Sequence, residues 1–141
     1  MITGFHYRAA LALTKITVKE LSSIVGLHAV TLLRYKKVSN LELINCRSRN
    51  TQVIQDYFEK SNVLFPNKNS IKLKTNYRSK DITRFHLVAA RIATGLNQNQ
   101  LSFFEHMGIT FNDDYTVTLH KDPQKFIEKT KMLVDTKRNN I

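Results

Sequence analysis

The stretch ITGFHYRAALALTKITVKELS at residues 2–22 occurs a second time, as ITRFHLVAARIATGLNQNQLS at residues 82–102. Nine of the 21 aligned positions are identical at a constant offset of 80 residues. A shared period of this length indicates two related supersecondary units in one chain. The identical pairs are Ile2/Ile82, Thr3/Thr83, Phe5/Phe85, His6/His86, Ala9/Ala89, Ala10/Ala90, Thr14/Thr94, Leu21/Leu101 and Ser22/Ser102.

A second match between the two halves has an offset of 46 residues. Because the offset falls from 80 to 46, the second copy lacks 34 residues from the middle of the first. The missing segment contains residues 28–35, which are predicted to form a helix, and the polar, basic residues 36–50 that follow them. The matched pairs are Phe58/Phe104, Glu59/Glu105, Asn62/Gly108, Val63/Ile109, Phe65/Phe111, Ile71/Val117 and Leu73/Leu119.

The positive charge of the chain is concentrated in the first copy. Residues 1–80 hold 14 Lys/Arg and 4 Asp/Glu, a net charge of +10, whereas residues 81–141 hold 8 and 7, a net charge of +1. A pI near 10 points to a polyanionic partner, nucleic acid first and an anionic membrane surface second. We therefore expect the first copy to carry the contact with nucleic acid.

Composition also excludes several classes of protein. Cys46 is the single cysteine, so no internal disulfide is expected and a reducing, cytoplasmic location is favoured. No charged leader precedes an apolar stretch, and no window approaches 18 uncharged apolar residues, so neither a signal peptide nor membrane insertion is expected. No ligand spacing suits a metal, and no nucleophile–base pair or glycine-rich phosphate loop is present. We expect no enzyme activity, no cofactor and no metal.

Apolar spacing and capping residues predict the elements of the first unit, residues 1–75. Thr3 and Thr17 are candidate N-caps, Glu20 is a capping-box partner of Thr17, and Gly26 is a candidate C-cap. Residues 36–50 are expected to form a loop with a short strand or helical turn at residues 41–44. The predicted helices cover residues 4–14, 18–25, 28–35 and 52–60, the last capped by Thr51, and two strands cover residues 63–65 and 71–73. The expected inward residues are Phe5, Ala9, Ala12 and Leu13 in the first helix and Leu21, Ile24 and Val25 in the second.

The second unit, residues 82–141, follows a polar linker at residues 74–81. Its predicted helices cover residues 83–94 and the stretch from the N-cap Asn97 to about residue 107. A hairpin is predicted from residues 109–111 and 115–120, and the chain is predicted to close with a helix over residues 123–136. The predicted fold class is mainly α, with a helix-turn-helix domain, small β-hairpins, a degenerate second unit and a C-terminal helix.

Residues 17–35, TVKELSSIVGLHAVTLLRY, have the spacing of a helix-turn-helix. Two steeply crossing helices need a small residue, here Ser22, and a tight turn, here Gly26, where their axes approach. The second helix then presents side chains that can enter a major groove. The alternative is a purely structural role, in which the three helices pack together and bind no ligand.

The chain resembles the Cro/phage-repressor-like (XRE) helix-turn-helix regulators of bacteria over residues 2–73, and residues 82–119 resemble a shortened copy. The resemblance implies that the residues after the turn face base edges. The sequence departs from the family pattern at His28, where the N-cap is usually serine. It also departs at Val18, where a phosphate-binding glutamine is usual. The second copy retains this glutamine as Gln98. Matching positions are Ile2-Thr3-Gly4, Arg8-Ala9-Ala10, Leu21, Gly26-Leu27, Thr31-Leu32, Thr51, Phe58-Glu59, Val63, Phe65, Ile71 and Leu73.

From this resemblance we expect a bacterial, nucleoid-associated transcriptional regulator that contacts double-stranded DNA. Ala29 and Val30 can pack on thymine methyl groups, and Thr31 and Arg34 can supply polar contacts. Basic residues around the third helix fit a rim that contacts the phosphate backbone. The expected DNA-binding residues are Lys15, Lys19, His28, Ala29, Val30, Thr31, Arg34, Lys36, Lys37, Arg47 and Arg49.

The second unit is near neutral and rich in aromatic residues, which suits an interface between proteins. We expect a homodimer through residues 82–141, because a helix-turn-helix usually binds two half-sites. Binding of a different partner or a ligand is the alternative role for this unit. For the whole chain, a protein-interaction module, such as an antitoxin or adaptor, and an RNA-binding protein are the alternative functions.

Overall fold

The first helix, α1 (Gly4–Thr14), begins where the sequence predicts and is capped at both ends. The side chain of Thr3 accepts from the N–H of His6, and the N–H of Thr3 donates to His6 Nδ1, each over 3.2 Å. Lys15 ends the helix in the left-handed region, with φ of 56°. Phe5 and Ala9 are buried as predicted, but Ala12 and Leu13 are only half-buried. The structure is a computed structural model that describes residues 2–44, 48–74, 82–112 and 115–124.

The loop after the third helix returns along the start of α1. The N–H groups of Gly4 and Phe5, which lack partners within the helix, donate to the carbonyls of Glu42 and Asn40 over 3.0 and 3.1 Å. A Cβ on Gly4 would lie 2.1 Å from the carbonyl oxygen of Val38, so this close approach requires glycine. The predicted short strand is a single antiparallel bridge between Thr3 and Leu43.

The predicted helix-turn-helix forms from α2 (Val18–Val25) and α3 (Ala29–Tyr35). Thr17 caps α2, because its hydroxyl accepts from the N–H of Glu20 over 3.1 Å. Gly26 ends α2 with φ of 75°, as the glycine in the sequence predicts. Ile24 was expected to face inward but is 55% exposed. In a helix of only eight residues, Leu21 alone is fully buried.

The fourth helix, α4 (Ser48–Lys60), begins before its predicted start. The expectation that Thr51 caps it is wrong, since Thr51 lies inside the helix. A capping residue favours a helix start without enforcing one, and α4 packs on α2 and β1 over its longer span. Strands β1 (Val63–Asn67) and β2 (Ser70–Leu73) follow as the predicted hairpin.

The second unit contains α5 (Ile82–Thr94), α6 (Leu101–Glu105), β3 (Ile109–Asn112) and β4 (Thr116–Leu119). The prediction of a helix from Asn97 is wrong, because α6 begins at Leu101. The Arg91 side chain donates to the carbonyl of Gln98 over 2.9 Å and to the side chain of Asn99. These bonds tie residues 98–99 to α5 instead of to a longer α6.

The predicted fold class is wrong, because the two hairpins are not separate small additions to a helical protein. They form one four-stranded antiparallel sheet in the order β1-β2-β4-β3. Across the residues that the structure describes, six helices and this sheet make a mixed α/β fold. The central pair joins Ile71 on β2 to Val117 on β4, both fully buried. The predicted C-terminal helix lies beyond residue 124, outside the described residues, apart from its first two positions.

The hydrophobic core runs through both units. Helices α1 and α5 pack against each other, α1 also contacts β1 and β2, and α5 contacts β4. The apolar side of the sheet carries Ile71, Val117 and Leu119, whereas alternate positions such as Lys72 and Thr116 are partly exposed. The sheet and the core are thus shared by residues on both sides of the linker.

Candidate nucleic-acid interface

The turn between α2 and α3 is held by short-range hydrogen bonds. The Ser22 hydroxyl donates to the carbonyl of Leu27 over 2.5 Å, and the N–H of Gly26 donates to the carbonyl of Ser22 over 3.0 Å. The small Ser22 side chain lets the two helices approach, as its position in the sequence predicts. These two bonds close the turn from which α3 begins.

The inner face of α3 packs against α1. Leu32 is fully buried and Tyr35 is 7% exposed, and the rings of Tyr7 and Tyr35 meet edge to face at 6.0 Å. The Tyr7 hydroxyl donates to the carbonyl of Leu32 over 2.8 Å. Burial raises the pKa of Tyr7 above its usual value, so this hydroxyl stays protonated and able to donate.

The C-terminal end of α3 is held by Arg8 of α1. The guanidinium donates to the carbonyl of Lys36 over 2.9 Å and also to the carbonyl of Val38. Terminal helix carbonyls lack partners within the helix, and Arg8 supplies charged donors to the turn that follows α3. Burial lowers the pKa of Arg8, and the carboxylate of Asp122 opposes this effect.

Asn40 connects this clamp to the second unit. It is fully buried and accepts from Arg8 over 2.5 Å through its side-chain oxygen. Its amide nitrogen donates to the carbonyl of Ala93 on α5 over 2.7 Å and to Asp122 over 2.9 Å. Sequence reasoning missed this network, because an asparagine in a polar loop carries no signal of burial.

The outer face of α3 is exposed. Since Leu32 and Tyr35 face the core, helical geometry places Val30, Leu33 and Arg34 on the opposite side at positions i, i+3 and i+4. Val30 is 64% exposed and Leu33 is 50% exposed, and Arg34 is also exposed. We call Val30, Leu33, Arg34 and the exposed Lys37 the outer stripe of α3.

Most of the predicted DNA-binding residues lie on or beside α3. His28 occupies its N-cap position without a side-chain cap bond, as its weak capping propensity predicts. Ala29 and Thr31 are half-buried, whereas His28, Lys36 and Lys37 are exposed. The outer stripe adds Leu33, which is not among the predicted DNA-binding residues. The periodicity of the buried Leu32 and Tyr35 could have identified it.

The remaining predicted site residues are spread over other elements. Lys19 is exposed in the first turn of α2, and Arg49 is exposed in the first turn of α4. Lys15 lines a depression with Arg84 and Val88 of α5, so it lies on the junction between the units. Arg47 falls outside the described residues.

A groove of about 530 Å³ borders the outer stripe of α3 and reaches α5. Its lining includes Leu33 and Lys36, Ile16 and Val18 around the start of α2, and Ile92 of α5. Leu33 therefore faces this groove as well as solvent. The walls of the groove are mainly apolar.

Within the described ranges, no cluster of three or more His, Cys, Asp or Glu residues is arranged to hold a metal ion. No helix among those ranges is long and apolar enough to cross a membrane. Comparison with protein-family models, with curated proteins and with solved structures found no match to this chain.

Proposed function

We propose that this chain is a sequence-specific DNA-binding protein that inserts the outer stripe of α3 into a major groove. The observation that carries the proposal is the asymmetry of α3. Its inner face is fixed by Tyr7 and Arg8, while Val30, Leu33 and Arg34 are presented together to solvent. A rigidly held helix with one exposed face has the geometry that major-groove recognition requires.

The chemistry of the outer stripe suits a mixed base sequence. Val30 and Leu33 can contact only apolar groups, and the methyl group of thymine is the apolar group in the major groove. Arg34 can donate two hydrogen bonds to the O6 and N7 atoms of guanine. Lys36, Lys37 and Lys19 supply exposed positive charge for neighbouring phosphates.

The biological role that fits such binding is regulation of transcription in a bacterial cytoplasm, without catalysis. The resemblance of residues 2–73 to the XRE regulators supports this role, and so does the net charge of +10 on residues 1–80. Sequence-independent attraction to DNA comes from such charge, whereas sequence preference comes from contacts with base edges.

The test begins with selection of bound duplexes from a random pool, followed by anisotropy titrations on the selected sequence. Arg34→Ala is expected to lower affinity about 5- to 150-fold and to relax preference at one base pair, because a bidentate contact is worth about 1–3 kcal/mol. Lys37→Ala is expected to weaken all duplexes alike and to lower the salt slope by about 1.

The matched control is Lys68→Ala, which removes an exposed cation in the β1–β2 turn, outside the helix-turn-helix. It should leave base preference unchanged. Retention of full affinity and base preference by the Arg34→Ala variant would refute the role of the outer stripe.

A protein-interaction module is the second candidate, favoured by three exposed large apolar residues on α2 and α3. Ile24 is the one that lies outside the outer stripe, at 55% exposure. Ile24→Ser should leave DNA affinity unchanged if α3 alone enters the groove.

An RNA-binding protein is the third candidate, and double-stranded RNA tests it. The major groove of an RNA duplex is deep and narrow and excludes a helix, so the proposed function predicts weaker binding to RNA. Binding of RNA and DNA duplexes with equal affinity would favour the RNA-binding alternative.

A further inference from the structure

The two hairpins are paired about a local two-fold axis. Ile71 faces Val117 across the β2–β4 junction, and these two residues are equivalents in the sequence repeat. The flanking pairs are Ser70 with Thr118 and Lys72 with Thr116. Ser70 is the repeat equivalent of Thr116, and Lys72 is the equivalent of Thr118, so each flanking pair is the symmetry copy of the other. The junction therefore has the register of a symmetric contact between two copies of one hairpin.

Hydrogen bonds beyond the strands obey the same symmetry. The N–H of Leu73 donates to the carbonyl of Tyr115 over 2.9 Å, and the N–H of Leu119 donates to the carbonyl of Asn69 over 2.8 Å. Leu73 and Leu119 are repeat equivalents, and so are Asn69 and Tyr115. The two bonds are thus one contact made twice, as in a contact between identical subunits.

The paired helices are also equivalent in detail. Helices α1 and α5 pack together, and each buries its alanine pair, Ala9-Ala10 or Ala89-Ala90, completely. The rings of the buried His6 and His86 lie at 4.8 and 5.1 Å from those of the equivalent residues Phe65 and Phe111, tilted by 46° and 40°. The similarity in sequence is therefore preserved in packing.

Symmetry fails at the helix that would contact DNA. Between Ser102 and Phe104, the equivalents of Ser22 and Phe58, the second unit has no chain that corresponds to α3. The second unit also carries a net charge of only +1. The one copy of α3 and the strongly basic unit therefore lie on the same side of the local axis.

We infer that the second unit substitutes, within the chain, for a second subunit, and that one chain recognises a single, non-palindromic half-site. The face of the first unit that would pair symmetrically, β2 with α1, is already covered by β4 and α5. Asn40, Arg8 and Asp122 fasten this pairing to the end of α3. Recognition of a single half-site rests on the proposed function, whereas the pairing of the two units within one chain does not.

This inference differs from the expectation of a homodimer through residues 82–141. A homodimer with two copies of α3 would place them about one helical turn of DNA apart, roughly 34 Å, and would select an inverted repeat. Engaging both half-sites through one assembly would increase affinity by about 10²–10⁴-fold over one half-site. A chain whose two units pair internally, with one copy of α3, is expected to show no such increase in affinity.

The experiment uses the full chain in two measurements. Sedimentation equilibrium without DNA is expected to give the mass of one chain, 16.3 kDa. Duplexes with one selected half-site, and with two in inverted orientation one helical turn apart, are then titrated by anisotropy and by stoichiometry. We expect one chain per half-site and the same intrinsic affinity on both duplexes.

A dimer in free solution, or cooperative binding of two chains to the inverted repeat, would overturn the inference. So would selection of a palindrome from the random pool. A monomer that selects no duplex would support the pairing within the chain and overturn the DNA-binding function, so the two failures are distinguishable. The Arg34→Ala variant is the control, because it should weaken both duplexes equally and leave the sedimented mass unchanged.

Discussion

His6 in the first turn of α1 is a fully buried ionisable side chain. Its Nδ1 atom accepts from the N–H of Thr3, so its Nε2 atom carries the proton and donates to the carbonyl of Ser70 over 2.7 Å. Both ring nitrogens are satisfied by the neutral form. A metal-binding role for this histidine is not needed to explain its burial, since it joins α1 to the β1–β2 hairpin.

Acid is expected to destabilise the fold through His6. Burial lowers the pKa of His6 from 6.5 to about 4, against the opposing effect of the Ser70 carbonyl. The unfolded chain therefore takes up a proton below about pH 6.5 that the folded chain does not take up until about pH 4. The stability contributed by neutral His6 is complete above pH 6.5 and falls by about 3 kcal/mol as the pH decreases to 4.

Urea unfolding across this pH range measures the effect. The His6→Gln variant is expected to be less stable at pH 7 but to have a shallower decline between pH 6.5 and 4. His28→Gln removes an exposed histidine and should keep the wild-type decline. If the free energy of unfolding falls with pH in parallel for the wild type and His6→Gln, His6 does not cause the decline in stability.

At the scale of elements, α3 is positioned by α1 as much as by its own turn. The N–H of Lys36 bonds to the carbonyl of Leu33 over 3.2 Å, one residue short of the α-helical pattern. The hydroxyl of Tyr7 bonds to the carbonyl of Leu32, which that pattern would pair with Lys36. Because α3 has only seven residues, such external bonds replace much of what a longer helix supplies internally.

Tyr7→Phe is expected to destabilise the protein by about 1–3 kcal/mol, the cost of leaving a buried carbonyl without its donor. The comparison variant is Tyr57→Phe on α4, where the side chain is only half-buried and a change within about 0.5 kcal/mol is expected. Urea unfolding at pH 7 measures both. Equal effects of the two substitutions would argue against a special role for the bond to Leu32.

At the scale of the whole molecule, Asn40 joins three parts of the chain. It links α1 through Arg8, α5 through the carbonyl of Ala93, and the segment after β4 through Asp122. Every polar atom of its side chain has a partner, which is the condition under which a buried polar group is tolerated. The position of the second unit and the end of α3 therefore depend on one another.

Asn40→Ala is expected to lower stability by about 3 kcal/mol, because it leaves several buried polar groups unpaired. Asn97→Ala is the control, since Asn97 is exposed and its loss should cost no more than about 0.5 kcal/mol. A double-mutant cycle with Asp122→Ala should show a coupling of about 0.5–3 kcal/mol. Additive effects of the two substitutions would exclude an energetic link between Asn40 and Asp122.

Local chemistry made much of the element order predictable. Thr3, Thr17 and Gly26 fixed the ends of α1 and α2 because caps act within one helical turn. The prediction failed at Thr51, a capping residue inside α4, and at Asn97, which does not start α6. Before α6, bonds from Arg91 of α5 hold residues 98–99 outside the helix, and no local rule could predict them.

The repeat, the charge asymmetry and the helix-turn-helix spacing were determined by the sequence alone, because each is a property of residue identity and order. Only the tertiary structure decided that the hairpins join in one sheet and that Asn40 lies at the centre of a buried network. The physical reason is that β2 and β4 are joined by backbone groups, which every residue carries, over a separation of 46 residues between Ile71 and Val117. One basic unit with a reading helix and one neutral copy without it are visible in the sequence; their pairing as the two halves of a symmetric contact is visible only in the fold.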